Sequence, residues 1–299
     1  ICEAESHIMG YLTALIYKYF YDKKVKLVLW CFFTLPGKKS LYKTLIIDNY
    51  KLIIRKMFDR FLSYHSLGKN FLISKGISEE RIVVALNVCD TVHLLKSSKK
   101  LLMLEKSDIK KKLGFKNKFI VSYVGTIDTA KNPKKMLEIA YNMDNPNIHF
   151  IILGDGPELT NLISMQNKMG LKNVTIFGKI SKGLYEYYRS SDIVIVPGRG
   201  GIGISEAMCF SLPVITYQAD GVELDLVLNK ETGFIVKEGK VDEYLKIINM
   251  LYESPIELKR IGKNARSLIL NNYNIENMVK QISAVASFWI INIKYVAIV

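Results

Sequence analysis

An α/β chain on parallel sheets covered on both faces, spread over two domains, is the fold class that this sequence predicts. Three observations carry that expectation. Short runs of continuous apolar residues alternate with helical segments, the pattern of strands buried on both sides. Glycines cluster where those runs end and the next helices begin. The 299 residues are too many for one small module. With 49% apolar residues, 23% charged residues, 19 Gly and 7 Pro, the composition excludes wholesale disorder, collagen and low-complexity sequence.

In chain order, the segment from Glu3 reads as a helix followed by a strand, with "KVKLVLW" (Lys24 to Trp30) the strand. "LYKTLIIDNYKLIIRKMFDRFLSYHS" reads as a long helix feeding a strand. A helix ending at Gly76, a Ser-x-Glu-Glu turn and the strand "RIVVAL" follow. Residues 94–117 are Lys- and Ser-rich and lack a clean strand, so they read as a linker and domain boundary. Beyond them the strand–helix rhythm is plain. The strands are "FIVSYVG", "HFIILGD", "VTIFG", "DIVIVPG" and "PVITY", then "FIV" after a loop, then two closing helices. No stretch reaches about 18 uninterrupted apolar residues, the length of a spanning helix.

The charge is uneven. Of 42 Lys+Arg and 28 Asp+Glu, residues 1–120 hold 23 and 10, net +13, while residues 121–299 hold 19 and 18, net +1. A basic surplus points to a polyanionic partner: nucleic acid, an anionic membrane or a phosphorylated substrate. Nucleic acid is disfavoured, since no reader motif and no aromatic–basic interleaving occurs. Lys23, Lys24, Lys26, Lys38, Lys39, Lys43, Arg55, Lys56 and Arg60 form either a solvated basic face or a surface for anionic lipid. The four cysteines and four histidines are scattered, with no C-x-x-C, H-x-x-x-H or H-x-H. That argues against a protein-held metal and suits a reducing compartment.

Ligands in open parallel sheets sit at the carboxyl ends of the strands. Those ends carry Gly125, Gly154, Gly156 and Gly178, and then "PGRGGIGISEAM" with Gly198, Gly200, Gly201 and Gly203. Any strand-to-helix turn favours glycine, and bare first-turn amides also suit a phosphate; both readings stand for Gly154, Gly156 and Gly178. The loop before "ISEAM" is more specific, since four glycines in six residues fit a diphosphate. It is neither a P-loop nor a dinucleotide fingerprint. Glu206 is expected in the first turn of the following helix. It serves there either as a carboxylate favoured by the helix dipole or as an acceptor of two ribose hydroxyls. Lys131 stands at the mouth of the glycine-lined crevice. It is either an ordinary surface lysine or the cation that neutralises a leaving phosphate.

Five ordered blocks, "YVGTIDTAKNP", "IILGDGPE", "VTIFGKIS", "YYRSSDIVIVPGRGGIGISEAMCFSLPVI" and "ADGVELDLVLNKETGFIV", resemble the donor-binding half of a family-4 glycosyltransferase. The resemblance runs from about Lys118 to Tyr273 and continues faintly upstream. It implies the GT-B fold, with two Rossmann-like domains, the N-terminal one incomplete and lacking the family's glycine-rich loop. It implies an acceptor domain with linker at residues 1–117, a donor domain at 118–272, and a crossover helix and tail at 273–299. The activity implied is transfer of a hexose from a UDP- or GDP-sugar to a glycan or lipid-linked acceptor, with retention and without metal or other cofactor. Polysaccharide or glycolipid synthesis in the cytoplasm, or on the inner face of the membrane, would be the setting. By resemblance, Lys131 pairs with the diphosphate and Glu206 binds the ribose. Gly198, Arg199, Gly200, Gly201, Ile202 and Gly203 face the donor sugar and phosphate, with Gly125 and Thr126 near them, and Gly178, Lys179 and Ile180 line the base. Two positions depart from the family: its diphosphate-binding arginine is Thr126 here, and the first of its two glutamates falls at Gly198. Lys134, Lys135 and Arg199 are the candidate replacement cations. The alternatives are a non-catalytic nucleotide-sugar-binding protein and a sugar-nucleotide epimerase of the same fold.

Overall fold

The computed structural model describes residues 2–3, 8–31, 57–217, 221–237 and 239–287. Two compact units divide the chain, one from residues 1–87, 220–222 and 276–299, the other from residues 88–219 and 223–275.

The first unit holds β1 (Cys2–Glu3), α1 (Ile8–Ile16), β2 (Val28–Cys31), β3 (Arg60–Ser63), α2 (Ser66–Ser74) and β4 (Ile82–Val84). Its four strands form a parallel sheet in the order β1-β2-β3-β4. Alternate residues serve opposite faces. Leu29, Cys31, Phe61, Leu72 and Ile82 pack on one side, and Val28, Leu62 and Ala85 meet Ile282 and Val285 on the other. The expected strand over Lys24 to Trp30 forms from Val28, and the helix expected to end at Gly76 closes at Ser74. The long helix expected before β3 falls mostly on residues 32–56, outside the described residues.

The second unit opens with α3 (Thr91–Leu102) and α4 (Lys106–Lys112), where the sequence reads as a linker. The Asp90 carboxylate caps α3, accepting from the His93 N–H at 2.9 Å. A distant carboxylate holds α4. Lys106 and Lys110, one turn apart, both reach Asp192, at 3.1 Å and 2.5 Å. The Ile120 N–H donates to the same carboxylate at 2.7 Å. Asp192 is nearly fully buried, so its charge is compensated by cations and an amide instead of water. Burial pushes the Lys106 ammonium down from the usual lysine range, against the opposing pull of Asp192.

Strands and helices then alternate: β5 (Phe119–Val124), α5 (Lys134–Tyr141), β6 (Ile148–Leu153), α6 (Leu159–Met169), β7 (Val174–Gly178) and α7 (Leu184–Ser190). After these come β8 (Ile193–Val196), α8 (Ile202–Cys209), β9 (Val214–Tyr217), the short α9 (Val222–Leu226) and β10 (Gly233–Val236). The chain closes with α10 (Val241–Glu253), α11 (Pro255–Asn271) and α12 (Ile275–Ser287), the last running on into the first unit. Both faces of the sheet are covered, as its apolar strands require. Val121, Phe150, Ile152, Ile193 and Ile195 pack with Met136, Leu137, Leu162, Ile248 and Ile261 on one face. Ile120, Ile151 and Leu153 pack with Phe115 and Tyr187 on the other.

The six strands are parallel in the order β10-β9-β8-β5-β6-β7. From β5 the chain winds outward through β6 to β7; it then returns to β8, beside β5, and winds the opposite way. The topological switch point lies between β5 and β8.

Removing the carboxylate at Asp192 strands two partly buried ammonium groups and one buried amide. Asp192→Ala is expected to cost about 3–5 kcal/mol of stability, measured by urea unfolding.

Candidate active site

The switch point is where an open α/β sheet leaves a crevice between diverging loops. Here the loop after β5 supplies Gly125 to Lys131, and the loop after β8 supplies Gly198 to Gly201. The two are in backbone contact. The Arg199 N–H donates to the Ala130 carbonyl at 3.0 Å. A Cβ at Gly198 would lie 2.5 Å from that oxygen and 2.6 Å from the Lys131 carbonyl carbon, so only glycine fits. Lys131 is anchored at both ends. Its N–H donates to Asp128 Oδ1 at 2.8 Å, and its ammonium donates to the Gly200 carbonyl at 3.3 Å. The ammonium thus sits at the start of α8, and it is only part-buried.

Gly201 takes φ +150° as the residue before α8 and brings no capping side chain. The first-turn amides of Ile202 and Gly203 are therefore not claimed by a side-chain cap, and the Lys131 ammonium lies 3.5 Å from where a Cβ at Gly201 would stand. An anion placed there meets a positive charge and the positive end of the helix together.

Glu206 is the fifth residue of α8, so it lies in the second turn and not the first. The dipole acts mainly within the first turn, so helix-end stabilisation does not account for this carboxylate. It is half-buried and accepts a hydrogen bond from the Tyr188 hydroxyl at 2.9 Å. Burial pushes the Glu206 carboxyl above the usual carboxylate range, and the Tyr188 hydrogen bond pulls partly back.

The three replacement cations separate clearly. Lys134 pairs with Glu158 at 2.8 Å and Lys135 pairs with Glu138. The Arg199 side chain is exposed and enters no ion pair among the described residues. Thr126 is also exposed, and its carbonyl accepts from the Tyr123 hydroxyl at 2.6 Å. Packing by itself requires glycine at Gly154 and Gly156. A Cβ at Gly154 would lie 1.8 Å from the Gly125 carbonyl oxygen, and one at Gly156 would lie 2.4 Å from that of Ile127. These two glycines let neighbouring loops interlock. Gly178 ends β7, and Lys179 and Ile180 follow it, at the edge of the same carboxyl end, two strands from the crevice.

Residues 105–268, more than half of the chain, match the family described as glycosyl transferases group 1. The chain belongs to this family. It is 25% identical over 265 residues to an uncharacterized glycosyltransferase of Haemophilus influenzae, covering 82% of this chain and 72% of that protein. It is 27% identical over 165 residues to the capsular polysaccharide biosynthesis glycosyltransferase CapM of Staphylococcus aureus, 52% of this chain but only 42% of CapM. Anabaena Alr3699/HepE, solved in complex with UDP, shares the fold with a TM-score of 0.77 at 20% identity, over 93% of this chain and 76% of that one. The fold is GT-B, with parallel sheets in two Rossmann-like domains, as group 1 glycosyltransferases of this kind have.

The sequence missed two features of the site. Nothing in the spacing marks Tyr188 as the partner of Glu206, because the two lie on different helices. The second was the backbone contact at Gly198, which a glycine count alone cannot locate.

Gly198→Ala forces its new methyl against the backbone of Ala130 and Lys131. The expected cost is about 1–3 kcal/mol, seen as a fall of roughly 2–8 °C in Tm by calorimetry.

Proposed function

We propose that this chain transfers a hexose from a nucleoside diphosphate sugar to a glycan or lipid-linked acceptor, with retention at the anomeric carbon. The observation that carries the reading is the junction of the Lys131 ammonium with the bare start of α8 across the switch point. The bond between the anomeric carbon and the phosphate oxygen breaks, and the diphosphate departs with the electron pair. Lys131 and the amides of Ile202 and Gly203 meet the charge that develops on it, in a site already organised to do so. The acceptor hydroxyl attacks from the same face and gives its proton to the leaving phosphate oxygen. Glu206 accepts the ribose hydroxyls. The loop Gly198 to Gly203 faces the sugar and phosphate, Gly125 and Thr126 flank it, and Gly178 to Ile180 line the base.

A diphosphate carries more charge than one lysine balances. Arg199 is the second cation in this reading, because Lys134 and Lys135 are engaged elsewhere. The two side chains do the work of a divalent ion, so the transfer needs no metal. A UDP-sugar is the preferred donor and a GDP-sugar the alternative; the UDP complex of the Anabaena protein supports the former. The name of CapM supports a role in surface polysaccharide synthesis.

The exposed Thr126, standing where the resemblance places an arginine, favours a second reading, nucleotide-sugar binding without turnover. A panel of nucleotide sugars with and without acceptor separates the two. Transfer is expected, and Lys131→Ala should lower kcat/KM about 10²–10³-fold and Arg199→Ala by less. Tight binding without transfer or hydrolysis would favour the second reading. Epimerised donor, appearing without acceptor, would point to the epimerase.

We also place the protein on the inner face of the cell membrane, docked on anionic lipid through its basic surface. No described helix is long and apolar enough to cross a membrane. Of the basic residues singled out in the first unit, Lys23, Lys24, Lys26 and Arg60 are described, and Lys26 lies 3.9 Å from Asp59. The others fall outside the described residues. Co-sedimentation with vesicles containing anionic lipid is expected at low salt and should vanish at high salt; equal binding to neutral vesicles would refute the docking.

A further inference from the structure

Glu206 depends on a residue that the family resemblance does not point to. Tyr188 lies on α7, is wholly buried, and stacks on Phe210 with ring centroids 5.5 Å apart and planes 8° from parallel. Its hydroxyl reaches α8 beside Gly203, where a Cβ would stand 3.7 Å away, and donates to Glu206 Oε2 at 2.9 Å. Gly203 and Glu206 are three residues apart on one helix face. The hydroxyl thus lies over the face of α8 that carries both.

We propose that Tyr188 is a positioning residue for the donor site: its buried hydroxyl fixes one oxygen of Glu206, so that the other points at the ribose of a nucleoside diphosphate sugar. The proposal rests on the reading of Glu206 given above. The chemistry is consistent. A carboxylate receiving two vicinal hydroxyls must be ionised and must not rotate. A fixed donor on one oxygen serves both needs. Around Glu206 the titratable groups are Tyr188 and Tyr185 from α7, Cys89 from the loop before α3, and Cys209 on its own helix. Arg266 of α11 acts on Cys209. Of these, only Tyr188 hydrogen-bonds to the carboxylate and favours its ionised form.

The sign follows from that bond. Tyr188 lowers the Glu206 pKa against the upward push of burial, so Tyr188→Phe should raise it further. Glu206 is then neutral over a wider span of pH. Nucleotide binding that needs the carboxylate loses its acid limb at higher pH, and loss of the fixed orientation weakens it above that limb as well.

The test uses the full chain labelled with carboxyl-¹³C glutamate, the Glu206 resonance being assigned by its loss in Glu206→Gln. Its titration midpoint and the Kd values of UDP and GDP are followed across the same pH range in the parent, Tyr188→Phe and Phe210→Leu. The midpoint is expected to rise in Tyr188→Phe. Nucleotide affinity should then fall at every pH, with a further fall of up to about tenfold per unit of that rise on the acid side. Phe210→Leu removes the stacking partner but keeps the hydroxyl, so it should lose stability and hold the parental midpoint. An unmoved midpoint in Tyr188→Phe overturns the proposal. So does a loss of affinity equal at every pH, which would mark Tyr188 as packing alone. If the midpoint moves and even the parent binds neither nucleotide, the donor-site reading fails, and the proposal falls with it while the hydrogen bond stands.

Discussion

The site depends on one close contact, the backbone of Gly198 laid against the backbone of Ala130 and Lys131. The strands β5 and β8 lie side by side, but the loops that leave them wind apart, and without a tie they would diverge. With no side chain at Gly198, the loops meet at van der Waals distance. The Arg199 N–H is then within reach of the Ala130 carbonyl, and the Lys131 ammonium within reach of the Gly200 carbonyl. The start of α8 is thereby fixed relative to the cation. Their fixed juxtaposition is what preorganises charge.

The basic surplus takes on a different meaning once partners are known. Lys106 and Lys110 are committed to Asp192, Lys112 to Glu186, Lys134 to Glu158 and Lys135 to Glu138. These five lysines build the unit and offer little to a ligand. A formal charge of +14 therefore overstates the positive field in the crevice, where Lys131 and Arg199 remain. Nor is the surplus confined to the first unit. Residues 1–87 hold 14 basic and 7 acidic residues, and residues 88–120 hold 9 and 3, so nearly half of the first segment's excess belongs to the second unit.

The strands of the second unit were legible because a strand buried on both faces must be apolar throughout, and β5, β6 and β8 have no way to hide that. The glycines after them were legible for a related reason, since the turns admit little else. What could not be read locally was anything whose cause lies far along the chain. Residues 94–117 read as a linker because their lysines look solvated. Asp192, some 80 residues away, makes α4 a packed helix. Glu206 was expected one turn too early, because the helix start depends on Gly201 and not on the run of glycines as a whole. Tyr188 sits in a segment whose aromatic residues signal only burial, and its hydroxyl gains meaning from α8.

The crevice is also where its unit gives up stability, and that bears on what it is for. A half-buried carboxylate, a helix start without a cap and an ammonium facing its amides each oppose folding. A chain selected for stability alone would place a capping serine or aspartate at Gly201 and an apolar residue at Glu206. In the function proposed above, such a cap would occupy the amides that the diphosphate needs, and such an apolar residue would remove the acceptor for the ribose. The apolar core beneath, from Val121 and Ile193 to Leu137 and Ile248, carries that cost. An uncapped helix start is common around this sheet, but the one at the switch point meets both a cation and a half-buried carboxylate, the combination that the proposed donor site requires.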